Sequence, residues 1–242
     1  MTLPQSVEKC YGFEFRIFDS ESPDFGTYRT VEFDYSKYEK DGIGMKVWTV
    51  QPLFVYEQLK EGKPFRADFQ KSPFEDMEEF HNAYRWMTEQ MKKRIGPPPV
   101  GVEYPIWAWH TRGWKQKKPD LRSSDMRHFT NPHVCIELEV PDEEIVLSDF
   151  DAWHFVLNDF CNPQCSSERE YEQWEQYYDS LSTEEQKKAR VESWNKIFDV
   201  TPRENEWNRN GEYIQATFWE IKPEYVMDVR DIRVKPNKGS NA

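Results

Sequence analysis

Met45-Lys-Val-Trp-Thr-Val-Gln51, running through Pro52 into Leu53-Phe-Val-Tyr-Glu-Gln-Leu-Lys-Glu-Gly62, is the stretch that decides the fold class. The first seven residues are rich in β-formers and read as a strand. Pro52 lacks an N–H and permits a helix to start. A short amphipathic helix is expected over 55–61, ended by Gly62. Downstream, this strand-to-helix unit does not recur in a regular alternation. Ser72, Pro73 and Glu75 form a capping signature for a long helix. Its apolar positions are Phe74, Met77, Phe80, Tyr84, Met87, Met91 and Ile95, spaced by threes and fours. Glu75 and Asp76 at its start and Lys92, Lys93 and Arg94 at its end complement the helix dipole, and Gly96-Pro-Pro-Pro99 stops it. Strands are expected over 104–110 and 134–140. Ser148 with Asp151 reads as a cap for a helix over 150–158. Helices follow over 168–179 and from the Ser182–Glu185 capping box to about Phe198, then strands over 212–221 and 225–233. Strands and helices mixed in this way indicate an α+β fold, with a mixed or antiparallel sheet core and flanking helices.

Upstream, Phe13-Glu-Phe-Arg-Ile17 alternates as a strand does, and Thr30–Tyr35 does so more weakly. Residues 1–44 are read as an N-terminal extension that packs on the domain as a hairpin. Residues 45–234 form a single domain, and the tail 235–242 is expected to be disordered.

Composition narrows the class. Of 242 residues, 16% are aromatic, including 10 Trp, and the net charge is -12. Mean hydropathy is -0.93. Aromatics bury on the order of 150–250 Å² each, so they supply the core that the aliphatics do not. The acidity repels nucleic-acid phosphates at long range. Cys10, Cys135, Cys161 and Cys165 lack a second pair to complete a zinc site and read as free thiols. The five histidines show no metal spacing, so no metal is expected. Residues 1–12 lack the basic start and apolar run of a signal peptide. The apolar runs fall far short of the roughly 18 residues of a membrane span. A cytoplasmic protein with no membrane partner is expected; oligomeric state is not legible.

Four constellations carry polar groups at strand spacing. Thr49 and Gln51 share one face of their strand, opposite Trp48 and Val50. They suit an amide or ribose, or equally the polar side of a sheet. Trp107 and Trp109 share a face, with Arg112, Lys115, Lys117, Lys118 and Arg122 after them. The indoles can stack on a nicotinamide, an adenine or a base, and the basic loop can hold phosphates. The alternative is two core indoles and a solvated loop. Glu137 and Glu139 project from one face. They read as an acid–base pair or as an acidic, solvated edge strand. Gln215, Thr217 and Trp219 share a face opposite Ala216, Phe218 and Glu220. Gln215 and Thr217 either face a cleft or decorate a half-exposed strand.

Taken in order, Val47–Gln51, Tyr104–Trp109, Cys135–Pro141, Leu147–Asp151 with Trp153, and Ile214–Glu220 resemble an uncharacterised bacterial family, a domain of unknown function. That resemblance implies no activity. A more distant one is to DarT-like ADP-ribosyltransferases. Trp48-Thr-Val-Gln51 before Leu59 and Gly62 resembles their opening strand and helix, Pro105–Trp109 with Arg112 their aromatic strand and basic loop, and Gln215-Ala-Thr-Phe218 their closing Q-A-E-F strand. This implies an ADP-ribosyltransferase-like fold and NAD as cofactor. NAD would lie between Thr49, Gln51, Trp107, Trp109, Gln215 and Thr217, with Arg112 or Lys115 at the pyrophosphate. The family's glutamate orients the ribose and stabilises its cationic transition state; Thr217 stands in its place and carries no charge. Glu220, Glu137 or Glu139 would then have to supply the carboxylate; otherwise the site binds without transfer. Another reading comes from Gln58–Arg66, which resembles the G-K-x-x-x-R segment of ASCH-type RNA-binding barrels. It implies a non-catalytic RNA or nucleotide module. A structural or interaction domain is the third reading.

Overall fold

The computed structural model describes residues 44–68, 78–123, 126, 129 and 131–232. The expected hairpin within 1–43, the Ser72–Glu75 capping box and the C-terminal tail lie outside the described residues.

Six antiparallel strands form the centre of an α+β fold. They are β1 (Met45–Pro52), β3 (Ile106–Arg112), β4 (His133–Val140), β5 (Val146–Asp149), β8 (Tyr213–Phe218) and β10 (Val226–Ile232). Their order across the sheet is β10-β4-β1-β3-β8-β5. Two short pairs accompany them: β2 (Phe65–Arg66) with β9 (Glu220–Ile221), and β6 (Arg203–Glu204) with β7 (Arg209–Asn210). Strand alternation sends side chains to two differently covered faces. On the first, Val47, Ile136, Leu138, Ala108, Ala216 and Phe218 pack with Val55 and Leu59 of α1 (Leu53–Lys60). On the second, Val146 and Trp107 pack with the helical layer. That layer comprises Met87 and Met91 of α2 (Glu78–Ile95), Trp153 and Val156 of α3 (Phe150–Leu157), and Trp194 and Ile197 of a 3-10 turn.

Local signals explain most boundaries. Pro52 leads directly into α1, and Gly62 beyond its end holds φ +77, which costs glycine nothing. The Ser182–Glu185 capping box opens α5 (Thr183–Ser193), but the α-helix ends there, and Trp194–Phe198 tightens into a 3-10 turn. Two expectations are corrected. Ser148 does not cap α3. It lies inside β5, and the cap is Asp149, whose carboxylate accepts from Ala152 N at 2.8 Å. β4 is not an edge strand either. β10 pairs along its outer side, so Glu137 and Glu139 stand on an interior strand.

α4 (Glu168–Ser180) and α5 form a helical hairpin in which no residue of either helix is buried. Tyr178 Oη donates to Gln186 O, and Gln186 Nε2 donates to Tyr178 O, tying the two together.

Candidate functional site

Register decides which polar residues meet. Trp48 lies opposite Trp109, Trp109 opposite Gln215, and Gln215 opposite Ser148. Directly opposed residues share a face. Trp107, Trp109, Gln215, Thr217 and Ser148 therefore gather on the helix-covered face. Thr49 and Gln51 point to the other face. There, Thr49 Oγ1 donates to Trp107 O at 2.9 Å and Gln51 Nε2 donates to Thr49 Oγ1 at 2.8 Å. The sheet thus stands between these two residues and the indoles.

At the gathered patch, three buried polar atoms on three adjacent strands have no hydrogen-bond partner: Trp107 Nε1, Gln215 Oε1 and Ser148 Oγ. Gln215 and Ser148 are 4% and 0% exposed. Such groups are rare because each forgoes its bond to water. The surroundings are aromatic. Trp107 packs against Trp153 with ring centroids 5.0 Å apart and against Tyr84 at 5.8 Å; Trp109 packs against Phe150 at 5.1 Å. Arg112 lies over the Trp109 ring, 4.8 Å from its centroid. A tight turn holds it: Arg112 N donates to Lys115 O, and Trp114 N donates to Glu212 O. Lys115, Lys117 and Lys118 beyond it are exposed.

Of the carboxylates suggested by the sequence, Glu137 and Glu220 are engaged elsewhere, and Glu139 lies on the distant β4. Glu137 accepts from Trp48 Nε1 at 2.9 Å and pairs with Lys46 at 3.1 Å. Glu139 sits beside it, and β4 is three strand spacings from β8, about 14 Å at the usual interstrand distance. Glu220 belongs to β9 and binds Arg66 at 2.9 Å. Thr217 is fully buried, with its hydroxyl 3.4 Å from Val146 O. A cavity of about 370 Å³ between α2 and α5, lined by Trp86, Gln90 and Val191 among others, includes none of these residues.

Sequence reasoning missed the side chains of the Leu147–Asp151 motif. Besides capping α3, Asp149 accepts from Gly211 N at 2.6 Å, and burial pushes its carboxyl up to about 6. Burial also raises the Asp151 carboxyl and lowers the His154 imidazole, whose Nδ1 lies 2.9 Å from Phe150 O. Glu212 is raised by burial too, and it pairs with Arg209 at 2.8 Å. Perturbed groups beside a polar core mark a candidate site. The available signal was the motif itself, but a capping reading absorbed its serine. Among the described residues, no group of three or more His, Cys, Asp or Glu gathers as metal ligands would. Nor is any described helix long and apolar enough to cross a membrane.

A scan of family models matches residues 46–227 to the domain of unknown function DUF3841. The chain belongs to that family. No curated protein and no solved structure matches it. The DUF3841 match spans β1 to the start of β10, so the whole candidate patch lies inside the family domain.

Proposed function

We propose that this DUF3841 domain binds a nucleotide-type ligand, NAD among the candidates, at the β3–β8–β5 patch, and that it does not transfer ADP-ribose. The carrying observation is the pair Gln215 Oε1 and Ser148 Oγ, directly opposed and both buried without partners. A ring amide or amine of nicotinamide or adenine type offers the donors that such acceptors lack. Trp109 offers an aromatic wall, and Arg112 with Lys115 an anion site at its outer end. Transfer is disfavoured because Thr217 cannot stabilise a ribosyl cation and Glu137 and Glu220 are held in other pairs.

The test is a thermal-shift and calorimetric titration with NAD, ADP-ribose and AMP. Binding raises the melting temperature by mass action. The shift should vanish in Gln215→Leu, with no nicotinamide released from NAD. No shift at millimolar ligand sinks the reading. A second reading, in which the indoles only build the core, is favoured by Trp109, which is 5% exposed. It predicts no binding by any of these ligands. Salt-sensitive binding of single-stranded RNA, lost on replacing Lys115, Lys117 and Lys118, would instead support the RNA-module alternative.

A further inference from the structure

The α4–α5 hairpin carries a feature that the proposed site does not use. α4 is strongly amphipathic in sequence, yet none of its residues is buried. An amphipathic helix ordinarily spends its apolar face on a core. Here that face is an aromatic ladder. Tyr171 and Trp174 have ring centroids 5.7 Å apart, and Trp174 stacks on Tyr178 at 5.2 Å. Trp207, from the turn between β6 and β7, extends the row at 6.2 Å from Tyr171. Tyr171 and Trp207 are exposed, and Trp174 and Tyr178 are half-buried.

The ladder is bordered by negative charge. α4 carries five carboxylates, Glu168, Glu170, Glu172, Glu175 and Asp179, against Arg169 alone, a net of -4. With 3.6 residues per turn, Glu168, Glu175 and Asp179 fall in one stripe along a flank of the ladder, while Arg169 falls on the far side. Among the described residues, Glu168, Glu175 and Asp179 enter no ion pair.

We infer that this face docks a basic, extended protein segment bearing Lys or Arg. Flat indole and phenol faces accept guanidinium and ammonium groups and the rigid rings of proline. The acidic stripe supplies charge complementarity, which favours a cationic partner over an anionic one. The same charge repels nucleic acid and anionic lipid.

The experiment is fluorescence anisotropy of two labelled peptides, one alternating Arg and Pro and one alternating Glu and Pro, titrated with the full chain. The basic peptide should bind and the acidic one should not, with affinity falling as salt rises. Trp174→Ala should weaken binding about tenfold, as loss of a cation–π and stacking anchor implies. A triple variant, Glu168→Gln with Glu175→Gln and Asp179→Asn, alters only exposed charges and should weaken it about as much while leaving the melting temperature unchanged. Equal binding of both peptides overturns the inference. So does affinity indifferent to both variants, or salt-insensitive binding of a neutral glycan in place of the peptide. A dimer in sedimentation that Trp174→Ala dissolves would assign the face to a second copy and would also overturn it.

Discussion

Replacing Asp149 with alanine removes two hydrogen bonds, and their combined size follows from where each one ends. The first caps α3 through Ala152 N, and loss of such a cap costs about 1 kcal/mol. The second holds Gly211 N at 2.6 Å beneath a fully buried carboxylate, and an N–H left without a partner there costs about 1–3 kcal/mol. Near neutral pH the sum is about 2–4 kcal/mol. The pH dependence adds a sharper test. Burial raises the carboxyl to about 6, above its ordinary value of 3.8. A group raised in the folded state contributes stability that is full below its unfolded pKa and is lost as pH rises through its folded pKa. Wild type should therefore gain about 2 kcal/mol over Asp149→Ala between pH 7.5 and 4.5, since each tenfold change in proton affinity is worth about 1.4 kcal/mol. Asp149→Asn keeps an acceptor for Ala152 N, offers an amide toward Gly211 N in its other position, and does not titrate. It should fall between the two and show the same slope against wild type. Urea unfolding at several pH values measures all three. A gap that narrows on acidification, as an ordinary charged cap would give, refutes the reasoning.

Three further predictions follow from the same structure. Gln215→Leu removes a buried acceptor that has no partner, so ligand-free stability should hold or rise in urea unfolding while the proposed nucleotide binding is lost; a cost above about 2 kcal/mol would mean that Oε1 is satisfied by protein or bound water. His110 is lowered by burial to about 4, the opposite case to Asp149. Its contribution is present above 6.5 and is lost as pH falls through 4, so the advantage of wild type over His110→Gln should shrink on acidification by up to about 3 kcal/mol, read from unfolding curves. Met87→Ala, at a fully buried position between α2 and the sheet, should cost about 2–5 kcal/mol in the same assay.

Much of the fold was legible because its signals are local. Pro52 and Gly62 bracket α1, and the Ser182–Glu185 box opens α5, as each does in the structure. β5 was not legible. Val146-Leu-Ser-Asp149 is too short to show alternation and runs without a loop into α3, so Ser148, taken with Asp151, reads as a cap. The two-residue strands β2, β6 and β7 have no periodicity to detect. The candidate site was legible only in fragments. Alternation places Trp107 with Trp109, and Gln215 with Thr217, but each strand offers two faces. Only long-range register decides which faces coincide. The pairing of Trp48 with Trp109 sends Thr49 and Gln51 away from the indoles. No local feature of Met45–Pro52 carries that information.

Folding alone gives little reason for the chemistry of β8. Gln215 and Thr217 sit in a strand with neighbours on both sides, where both faces are covered. Strands buried on both faces ordinarily read as apolar runs. An unpartnered buried acceptor costs about 1–3 kcal/mol, and the patch holds two, against a total stability of about 5–15 kcal/mol for a native protein. Apolar side chains of similar volume at Gln215 and Ser148 would remove that cost. Thr217 differs, because its hydroxyl lies within reach of Val146 O and so meets part of its own requirement. Gln215 and Ser148 thus stand apart from an otherwise satisfied strand pair. A hydrogen-bonding group arriving between β8 and β5 would recover that deficit, and the binding proposed above would place it where Trp109 and Arg112 supply an aromatic wall and a positive charge.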